Sequence, residues 1–333
     1  MPLQAVESCE VLVLVDNVTD LLSSVPASVT SEVGNLFAAG ARRLAGRCLC
    51  CAQWGLALVI TVQHQGRRHT VLFDSGPDGY ALRRNGRRLG LDFGTIGAAV
   101  WSHGHWDHVG GMPTALRLIT AARGGAAVPL HVNDGMFVRR AVPAPGGHGM
   151  LPFADIPSPE ALEAAGAVLI SSPDARTVFN DTFYLSGEVP RITPYEVGLP
   201  GQMAQTADGQ WVSDQWLRDE RWLAVRVAGL GVIVFTACSH AGVINVLNHA
   251  QAALAPEPLY AVMGGLHLSG PAAEALIDDT VHDLQAFQLR CIVPGHCTGW
   301  RAVHRLVDAF GEAVVVPSAV GRRHHFSAAA MLP

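Results

Sequence analysis

Residues 103–108 restrict what this chain can fold into more than any other part of the sequence. They read HGHWDH, so three imidazoles and one carboxylate fall within six positions. In a nearly extended loop, positions 103, 105 and 107 project to one side, and His108 can turn inward as a helix begins. Imidazole and carboxylate groups together suit Zn²⁺, and also Mn²⁺ or Fe²⁺. Four such groups exceed what one ion with an open position takes, which predicts two metal ions.

The composition is that of a globular protein. The chain has 333 residues, of which 49% are apolar and 15% charged, and this balance argues against long disorder. A net charge of −5 gives no basic field that would attract nucleic acid or anionic lipid. No apolar run reaches the roughly 18 residues of a membrane helix. The seven cysteines suit reduced thiols, so we expect a cytoplasmic protein without nucleic-acid or membrane partners.

Apolar runs bounded by turn residues predict the strands of the first half of the chain. These strands are Val11–Val15, Leu56–Val62, His69–Phe73, Ala98–Trp101 and Val128–Val132. The second and third of them flank a turn-like Gln-Gly-Arg sequence at 65–67 and predict a hairpin. Helices are predicted at Tyr80–Leu89 and Pro113–Ala122.

The last third of the chain alternates between strands and helices. Strands are predicted at Val232–Thr236, Leu259–Met263, Cys291–Val293 and Val314–Pro317, and helices at Ala241–Leu254, Ala272–Gln288 and Trp300–Phe310. Before them, strands are expected at Val168–Ser171, Thr182–Ser186 and Leu223–Val227, with loops at 141–159 and Gly198–Gln215. This order predicts two stacked sheets with helices outside. We expect one domain, 1–333, with a loop-rich insertion around 141–222.

The segment from Ser102 to Gly111 resembles the HxHxDH signature of the metallo-β-lactamase superfamily, and Leu72–Pro77 resembles the strand and turn that precede it. The resemblance implies an αββα sandwich of two mixed sheets with outer helices, and metals at one edge between the sheets. It implies that His103 and His105 bind a first metal and that Asp107 and His108 bind a second. Asp107 is also expected to take part in catalysis.

Three later strands end in a histidine, at His240, His267 and His296. The Pro-Gly-His sequence at His296 resembles the last ligand of the second metal in the superfamily. His240 is predicted to be a further ligand. The place of His267 resembles that of a catalytic histidine in some members, so we expect it to transfer protons.

Two positions depart from what the resemblance implies. Most superfamily members carry a bridging aspartate after the strand equivalent to Val232–Thr236, whereas this chain has Cys238-Ser239-His240. Either Cys238 or His240 replaces the aspartate as a ligand, or the second metal is weakly held. A narrower group within the superfamily, which includes an archaeal synthase, is expected to have a His-Gly pair at Gln53-Trp54-Gly55. Trp54 stands in the place of the histidine, so we expect the substrate pocket to differ from that of the synthase.

Further stretches are similar to a narrower group within the superfamily. They are Tyr184–Arg191, Phe235–Asn245, His296–Gly299 and Val15–Asn17. This group includes the archaeal 7,8-dihydropterin-6-methyl-4-(β-D-ribofuranosyl)aminobenzene-5′-phosphate synthase and many bacterial metal-dependent hydrolases. The resemblance covers roughly residues 9 to 320.

Charged residues outside the HGHWDH segment could bind the substrate or hold a loop. Arg191 either forks onto a phosphate or carboxylate of the substrate, or pairs with Glu188 to pin a loop. Asp219 and Glu220 precede a strand and are expected to cap or solvate it. Cys48, Cys50 and Cys51 are expected to be ordinary thiols.

These features predict a metal-dependent hydrolase that acts on a small phosphorylated or heterocyclic substrate through a metal-activated water. Two Zn²⁺ ions are expected, with Mn²⁺ or Fe²⁺ as alternatives, and no organic cofactor. One alternative is a transferase similar to the dihydropterin synthase, and another is a mononuclear iron oxygenase of the same fold. The only partner predicted is a small-molecule substrate. The oligomeric state stays open, a homodimer included.

Overall fold

In the computed structural model, which describes residues 3–146 and 148–331, the chain forms two large sheets, a small sheet and outer helices. The strands are, in chain order, β1 (Ala5–Val6), β2 (Ser8–Val15), β3 (Val29–Thr30), β4 (Ala57–His64), β5 (Arg67–Phe73), β6 (Ile96–Val100), β7 (Val128–Val132), β8 (Arg140–Pro143), β9 (Met150–Pro152), β10 (Ala167–Ser171), β11 (Arg176–Val178), β12 (Phe183–Leu185), β13 (Met203–Gln205), β14 (Trp211–Ser213), β15 (Leu223–Val227), β16 (Gly231–Thr236), β17 (Leu259–Gly265), β18 (Cys291–Gly295) and β19 (Arg323–Phe326). The helices are α1 (Glu32–Ala38), α2 (Gly79–Arg88), α3 (Trp106–Val109), α4 (Met112–Ala122), α5 (Pro159–Ala164), α6 (Val243–Ala253), α7 (Pro271–Glu274), α8 (Ile277–Leu284) and α9 (Trp300–Phe310).

The two large sheets are both mixed. The first has the strand order β10-β7-β6-β5-β4-β2-β19-β3, and its strands from β10 to β5 are parallel. The second has the order β11-β12-β15-β16-β17-β18 with β1 beside β15, and its strands β16, β17 and β18 are parallel. The small sheet has the order β14-β13-β8-β9 and is antiparallel.

Alternating side chains bury both faces of each large sheet. Along β2, Val11 and Val13 pack between the sheets, while Leu12 and Leu14 face the core shared with α2 and α4. The second sheet alternates in the same way, with one face on the inter-sheet core and the other on a core shared with α6, α8 and α9. The layers therefore run helix, sheet, sheet, helix, and the predicted αββα sandwich is confirmed.

The predicted hairpin is confirmed at β4 and β5. Its two-residue turn places Gln65 at φ 49° and Gly66 at φ 75°. Left-handed conformations at both central residues match the right-handed twist of the flanking strands, which is why glycine is favoured there.

The segments that were predicted to be loops contain strands. Residues 141–159 and Gly198–Gln215 contribute to β8, β9, β13 and β14, which pair with one another as the small sheet. The span 141–222 also supplies β10 to the first large sheet and β11 and β12 to the second. Of these, β10 and β12 agree with the strands predicted at Val168–Ser171 and Thr182–Ser186. The strands of the small sheet have only three or four residues, too few for an alternating pattern to give a clear signal.

Near the C-terminus two predictions were wrong and one strand was missed. Val314–Pro317 is not a strand, because only an isolated bridge joins Val315 to Ile292. The predicted helix Ala272–Gln288 is broken into α7 and α8. Strand β19, which lies between β2 and β3, was missed because its sequence RHHF lacks an apolar run. Among residues 3–146 and 148–331, no helix is long and apolar enough to cross a bilayer.

Phe183→Ala should lower the free energy of unfolding by about 3–5 kcal/mol, because it leaves a cavity in the fully buried core between the two sheets. Urea unfolding at a constant zinc concentration measures the loss. Leu22→Ala is the control, since Leu22 is 95% exposed and its truncation should change stability by no more than about 0.5 kcal/mol. Equal effects of the two substitutions would contradict this account of the core.

Candidate metal centre

The histidines and the aspartate singled out by the sequence lie at one edge of the sandwich. His103 and His105 follow β6, and Asp107 and His108 lie on the short helix α3. The three later histidines, His240, His267 and His296, follow β16, β17 and β18. Because parallel strands end at the same edge of a sheet, the loops of both sheets meet there.

One group of three imidazoles consists of His103, His105 and His240, which we name the first triad. His103 Nε2 lies 3.0 Å from His105 Nδ1 and 3.2 Å from His240 Nε2. All three side chains are buried, and their ligand atoms lie within 4.8 Å of one another. The first triad therefore presents three nitrogen atoms to a single point.

Hydrogen bonds define which nitrogen of each imidazole carries the proton. Ser102 Oγ donates to Asp74 Oδ2 at 2.7 Å, so it accepts from Nδ1–H of His103 at 2.8 Å. His105 donates from Nε2–H to Gln202 Oε1 at 2.9 Å. The remaining nitrogens, His103 Nε2 and His105 Nδ1, therefore face each other with lone pairs.

The second group consists of Asp107, His108 and His296, which we name the second triad. The two imidazoles face each other with 3.1 Å between their Nε2 atoms, and Asp107 Oδ2 lies 3.5 Å from His296 Nε2. His108 donates from Nδ1 to Asp74 Oδ2 at 2.8 Å, which leaves its Nε2 directed at the triad. A carboxylate that orients a histidine in this way is typical of metal sites.

The residues of both triads fit a divalent cation. Two nitrogens at 2.0–2.1 Å from a tetrahedral Zn²⁺ lie about 3.3 Å apart, close to the separations seen here. Facing lone pairs repel each other unless a cation lies between them. The facing nitrogens of His103 and His105 therefore favour a bound cation. In the part of the chain that the structure describes, the other ring nitrogens of His240 and His296, their Nδ1 atoms, are buried without a hydrogen-bond partner. Buried nitrogens of this kind are usually satisfied by ordered water.

The protonation states of the triads also suit metal binding. Burial and the neighbouring imidazoles hold the pKa of His103 and His240 well below the ordinary value, and burial with Arg140 lowers the pKa of His105 to about 3. Burial opposes a charge on His108, but Asp107 and Asp74 outweigh it and raise its pKa to about 9. A cation that binds the second triad therefore displaces a proton from His108.

Buried charges hold the loop that carries His103 and His105. Arg140 donates to Gly104 O at 2.8 Å, to Asp219 Oδ1 at 2.6 Å and to Asp214 Oδ2 at 2.7 Å. Asp219 in turn accepts from the Gly104 amide at 2.8 Å. A Cβ atom at position 104 would lie 2.3 Å from Met136 O, so only glycine allows this approach.

Asp219 and Glu220 do not cap or solvate a strand, contrary to expectation. Both carboxylates are buried, and Glu220 accepts from the amides of His240 and Ala241 at 2.7 and 2.6 Å. Glu220 therefore positions the loop after β16 as Asp219 positions the loop after β6. Asp16 does the same after β18, since its Oδ1 accepts from the His296 amide at 3.1 Å.

Several residues at this edge hold a strained backbone. Ser239, His267 and His296 each have a φ between 47° and 50°, and Asp74 has a φ of 59°. Left-handed conformations cost non-glycine residues roughly 1–3 kcal/mol each and persist only where the surroundings enforce them. Each of the four residues follows the end of a strand, so the strain lies in the loops that carry the triads.

His267 lies beside the first triad and not within it. Its ring packs edge to face on His240 at 4.5 Å, and its Nδ1 lies 3.6 Å from Cys238 Sγ. Cys238 and Cys297 are also buried at this point, with their sulfurs 3.0 Å apart. The predicted catalytic role of His267 stays a prediction.

The structure places Glu188 and Arg191 along a different cavity. Arg191 donates to the main-chain carbonyls of Val189, Trp216 and Leu217, which pins two loop segments together. Glu188 accepts from Arg218 at 2.7 Å and not from Arg191. The cavity that they line includes none of the triad residues among those described, so a role in substrate binding stays a prediction.

Two cavities adjoin the triads. One, of about 430 Å³, has His240 and His267 in its wall and is bounded by residues 195–200 and 266–273. The other, of about 480 Å³, has His296 and Trp300 in its wall. Trp54, which stands where a histidine was expected, is 48% exposed and lies 5.1 Å from the His296 ring.

Comparison with known proteins agrees with this fold. Residues 54–132 match the metallo-β-lactamase superfamily. A solved metal-dependent hydrolase of the β-lactamase superfamily shares the fold with a TM-score of 0.70 and 20% identity, covering 96% of this chain and 99% of that one. Residues 54–132, which include the HGHWDH segment, therefore match the metallo-β-lactamase superfamily, and the whole chain has the fold of the solved hydrolase.

Two relatives from Methanocaldococcus jannaschii are similar to this chain over most of their length. The 7,8-dihydropterin-6-methyl-4-(β-D-ribofuranosyl)aminobenzene-5′-phosphate synthase is 25% identical over 274 residues, which are 78% of this chain and 86% of the synthase. An uncharacterised protein is 28% identical over 261 residues, which are 77% of this chain and 88% of the relative.

Arg140→Gln should lower the free energy of unfolding by about 3–5 kcal/mol, because it leaves the buried Asp219 carboxylate without its cation. Urea unfolding measures the loss. Arg139→Gln is a matched control one residue away, since Arg139 pairs with Asp155 at the surface and should contribute no more than about 1 kcal/mol. Similar losses for the two variants would show that the buried network does not support the loop.

Proposed function

We propose that this protein is a metal-dependent hydrolase that binds two divalent cations, one at each triad. The observation that carries the proposal is the meeting of two buried triads, one of three imidazoles and one of two imidazoles and a carboxylate, beside an open cavity. Three protein ligands around an ion leave a position for water or substrate, which is the arrangement of catalytic and not structural sites.

The residues of the chain have separate tasks in this mechanism. When bound, divalent cations supply Lewis acidity and activate water for attack on the substrate. Asp74 orients His103 through Ser102 and orients His108 directly, so that both keep a lone pair toward the triads. His267 lines the cavity next to His240 and is suited to transfer a proton to or from a bound substrate. Asp107 is a ligand whose charge neutralises part of the cation charge.

The cavity beside His240 favours a substrate with an apolar or heterocyclic part. Its wall includes Tyr195, Val197, Leu199, Leu266 and Leu268. No arginine or lysine is present among the described residues that line either cavity next to the triads. A phosphate or carboxylate group of the substrate would therefore bind at the cations, while the remainder of the molecule occupies the cavity.

A second candidate is transferase chemistry like that of the dihydropterin synthase. Its support is the similarity to that enzyme along 274 residues. In this alternative a pyrophosphate or alkoxide would leave the substrate with charge stabilisation from the bound cations, and water would not attack the substrate. The same triads serve both reactions, so the products distinguish them.

Purified without chelator, the protein should contain two zinc ions per chain. His103→Ala and His296→Ala should each reduce the zinc content, because each removes a ligand from a different triad. Elemental analysis of the purified variants measures it. His249→Ala is the control, since His249 packs on Trp222 along α6 and should leave both ions in place. Wild-type protein without bound metal would refute the proposal.

Zinc-loaded protein should hydrolyse at least one member of a panel of lactones, phosphodiesters and pterin phosphates. Chelator should abolish the turnover and added zinc should restore it. Incubation in ¹⁸O-labelled water, followed by mass spectrometry, distinguishes the reactions, because hydrolysis incorporates the label and transfer to an acceptor does not. Oxygen consumption with iron-loaded protein would instead point to an oxygenase.

A further inference from the structure

Two cysteines that have no role in the proposed function lie beside the two triads. Cys238 comes two residues before His240, and Cys297 directly follows His296. Their side chains are buried, and their sulfur atoms lie 3.0 Å apart without a bond between them. Burial of two thiols among imidazoles and a carboxylate demands an explanation beyond packing, because a thiolate is a strong ligand for soft metals.

The sulfur of Cys238 lies close to ligand atoms of both triads. Cys238, His103 and His108 have ligand atoms within 4.8 Å of one another, and His103 and His108 belong to different triads. Similar groups join Cys238 to His240 with His267, and to His296 with Cys297. Cys238 therefore lies between the two proposed ions, with two histidines of each triad around it.

The position of Cys297 is different. Among the groups of three or more possible ligands in the described residues, its sulfur belongs only to the one with Cys238 and His296, whose ligand atoms lie within 4.8 Å of one another. Cys297 is therefore grouped with the second triad and not with the first. Two thiolates on one tetrahedral Zn²⁺, with Zn–S distances near 2.3 Å, would lie about 3.8 Å apart. The observed 3.0 Å fits instead a contact in which Cys238 Sγ donates a hydrogen bond to Cys297 Sγ. The two sulfurs are therefore not placed as two ligands of one ion, and Cys238 is the one that lies near ligand atoms of both triads.

We propose that Cys238 is a thiolate ligand shared by the two cations, and that this sulfur makes the site selective for borderline-soft ions such as Zn²⁺ over Mn²⁺. The inference rests on the proposed function, since it requires that both triads bind metal. When the ions bind, the S–H bond of Cys238 breaks, the proton passes to solvent, and sulfur lone pairs are donated to the two ions. Cys297 keeps its proton, which it donates to the Cys238 carbonyl oxygen 3.5 Å away.

X-ray absorption at the zinc edge of the full-length, zinc-loaded and reduced protein tests this assignment. Wild-type protein and Cys297→Ala should both show a sulfur neighbour at about 2.3 Å from zinc. Cys238→Ala should lack the sulfur neighbour and should bind zinc more than about tenfold more weakly, a loss at least as large as that for orienting residues. The Cys297 variant is a matched control, because it removes a buried sulfur 3.0 Å from the first.

Cys238→Asp is a second variant, which tests the same assignment if Cys238→Ala does not fold. Its carboxylate can be shared by two ions, so zinc content should stay at two per chain while the sulfur neighbour disappears. Cobalt-loaded protein gives an independent measurement, since thiolate-to-cobalt absorption in the near ultraviolet should be present in wild type and Cys297→Ala and absent in Cys238→Asp.

The outcomes separate this inference from the function on which it rests. Two bound zinc ions without a sulfur neighbour in wild type would overturn the role of Cys238 and leave the two triads intact. A sulfur signal that survives in Cys238→Asp, or that is lost in Cys297→Ala, would also overturn it. Wild-type protein that binds no zinc would overturn the proposed function itself.

Discussion

The carboxylate of Asp74 is the interaction on which the arrangement of the site depends. It accepts hydrogen bonds from the amide and hydroxyl of Ser102 and from His108. Through Ser102 it reaches His103, so one buried carboxylate orients an imidazole of each triad. It can do so because β5 and β6 are parallel neighbours, which brings the loop after β5 against the loop after β6. Sheet topology, hydrogen bonding and the direction of the lone pairs are thus linked through a single side chain.

Much of this arrangement could be predicted from the sequence. The HGHWDH segment and the three later strands that end in histidine indicated a site at one edge of two sheets, and the αββα fold is confirmed. These signals are local, because each histidine directly follows an apolar strand, and the carboxyl ends of parallel strands meet. The hairpin was predictable for the same reason, since its two strands and turn are adjacent in sequence.

The supporting charges could not be predicted, because their partners are distant in sequence. Asp219 contacts Gly104 across 115 positions, and Asp16 contacts His296 across 280 positions. Asp219 and Glu220 sit next to each other before a strand, a place where acidic residues are usually exposed, and only the folded chain buries them. The small sheet that supplies Arg140 has strands of only three or four residues, so its sequence signal is weak.

Under the proposed function, the left-handed residues at the ends of the strands link the stability of the chain to the concentration of free divalent cations. Ser239, His267 and His296 hold conformations that glycine would adopt at lower free energy, yet two of the three positions carry an imidazole. The folded state therefore contains strain and facing lone pairs that a bound cation would offset. A ligand that binds only the native state raises the free energy of unfolding with the logarithm of its concentration. Under the proposed function, the concentration of free divalent cation would then set how much of the chain is folded.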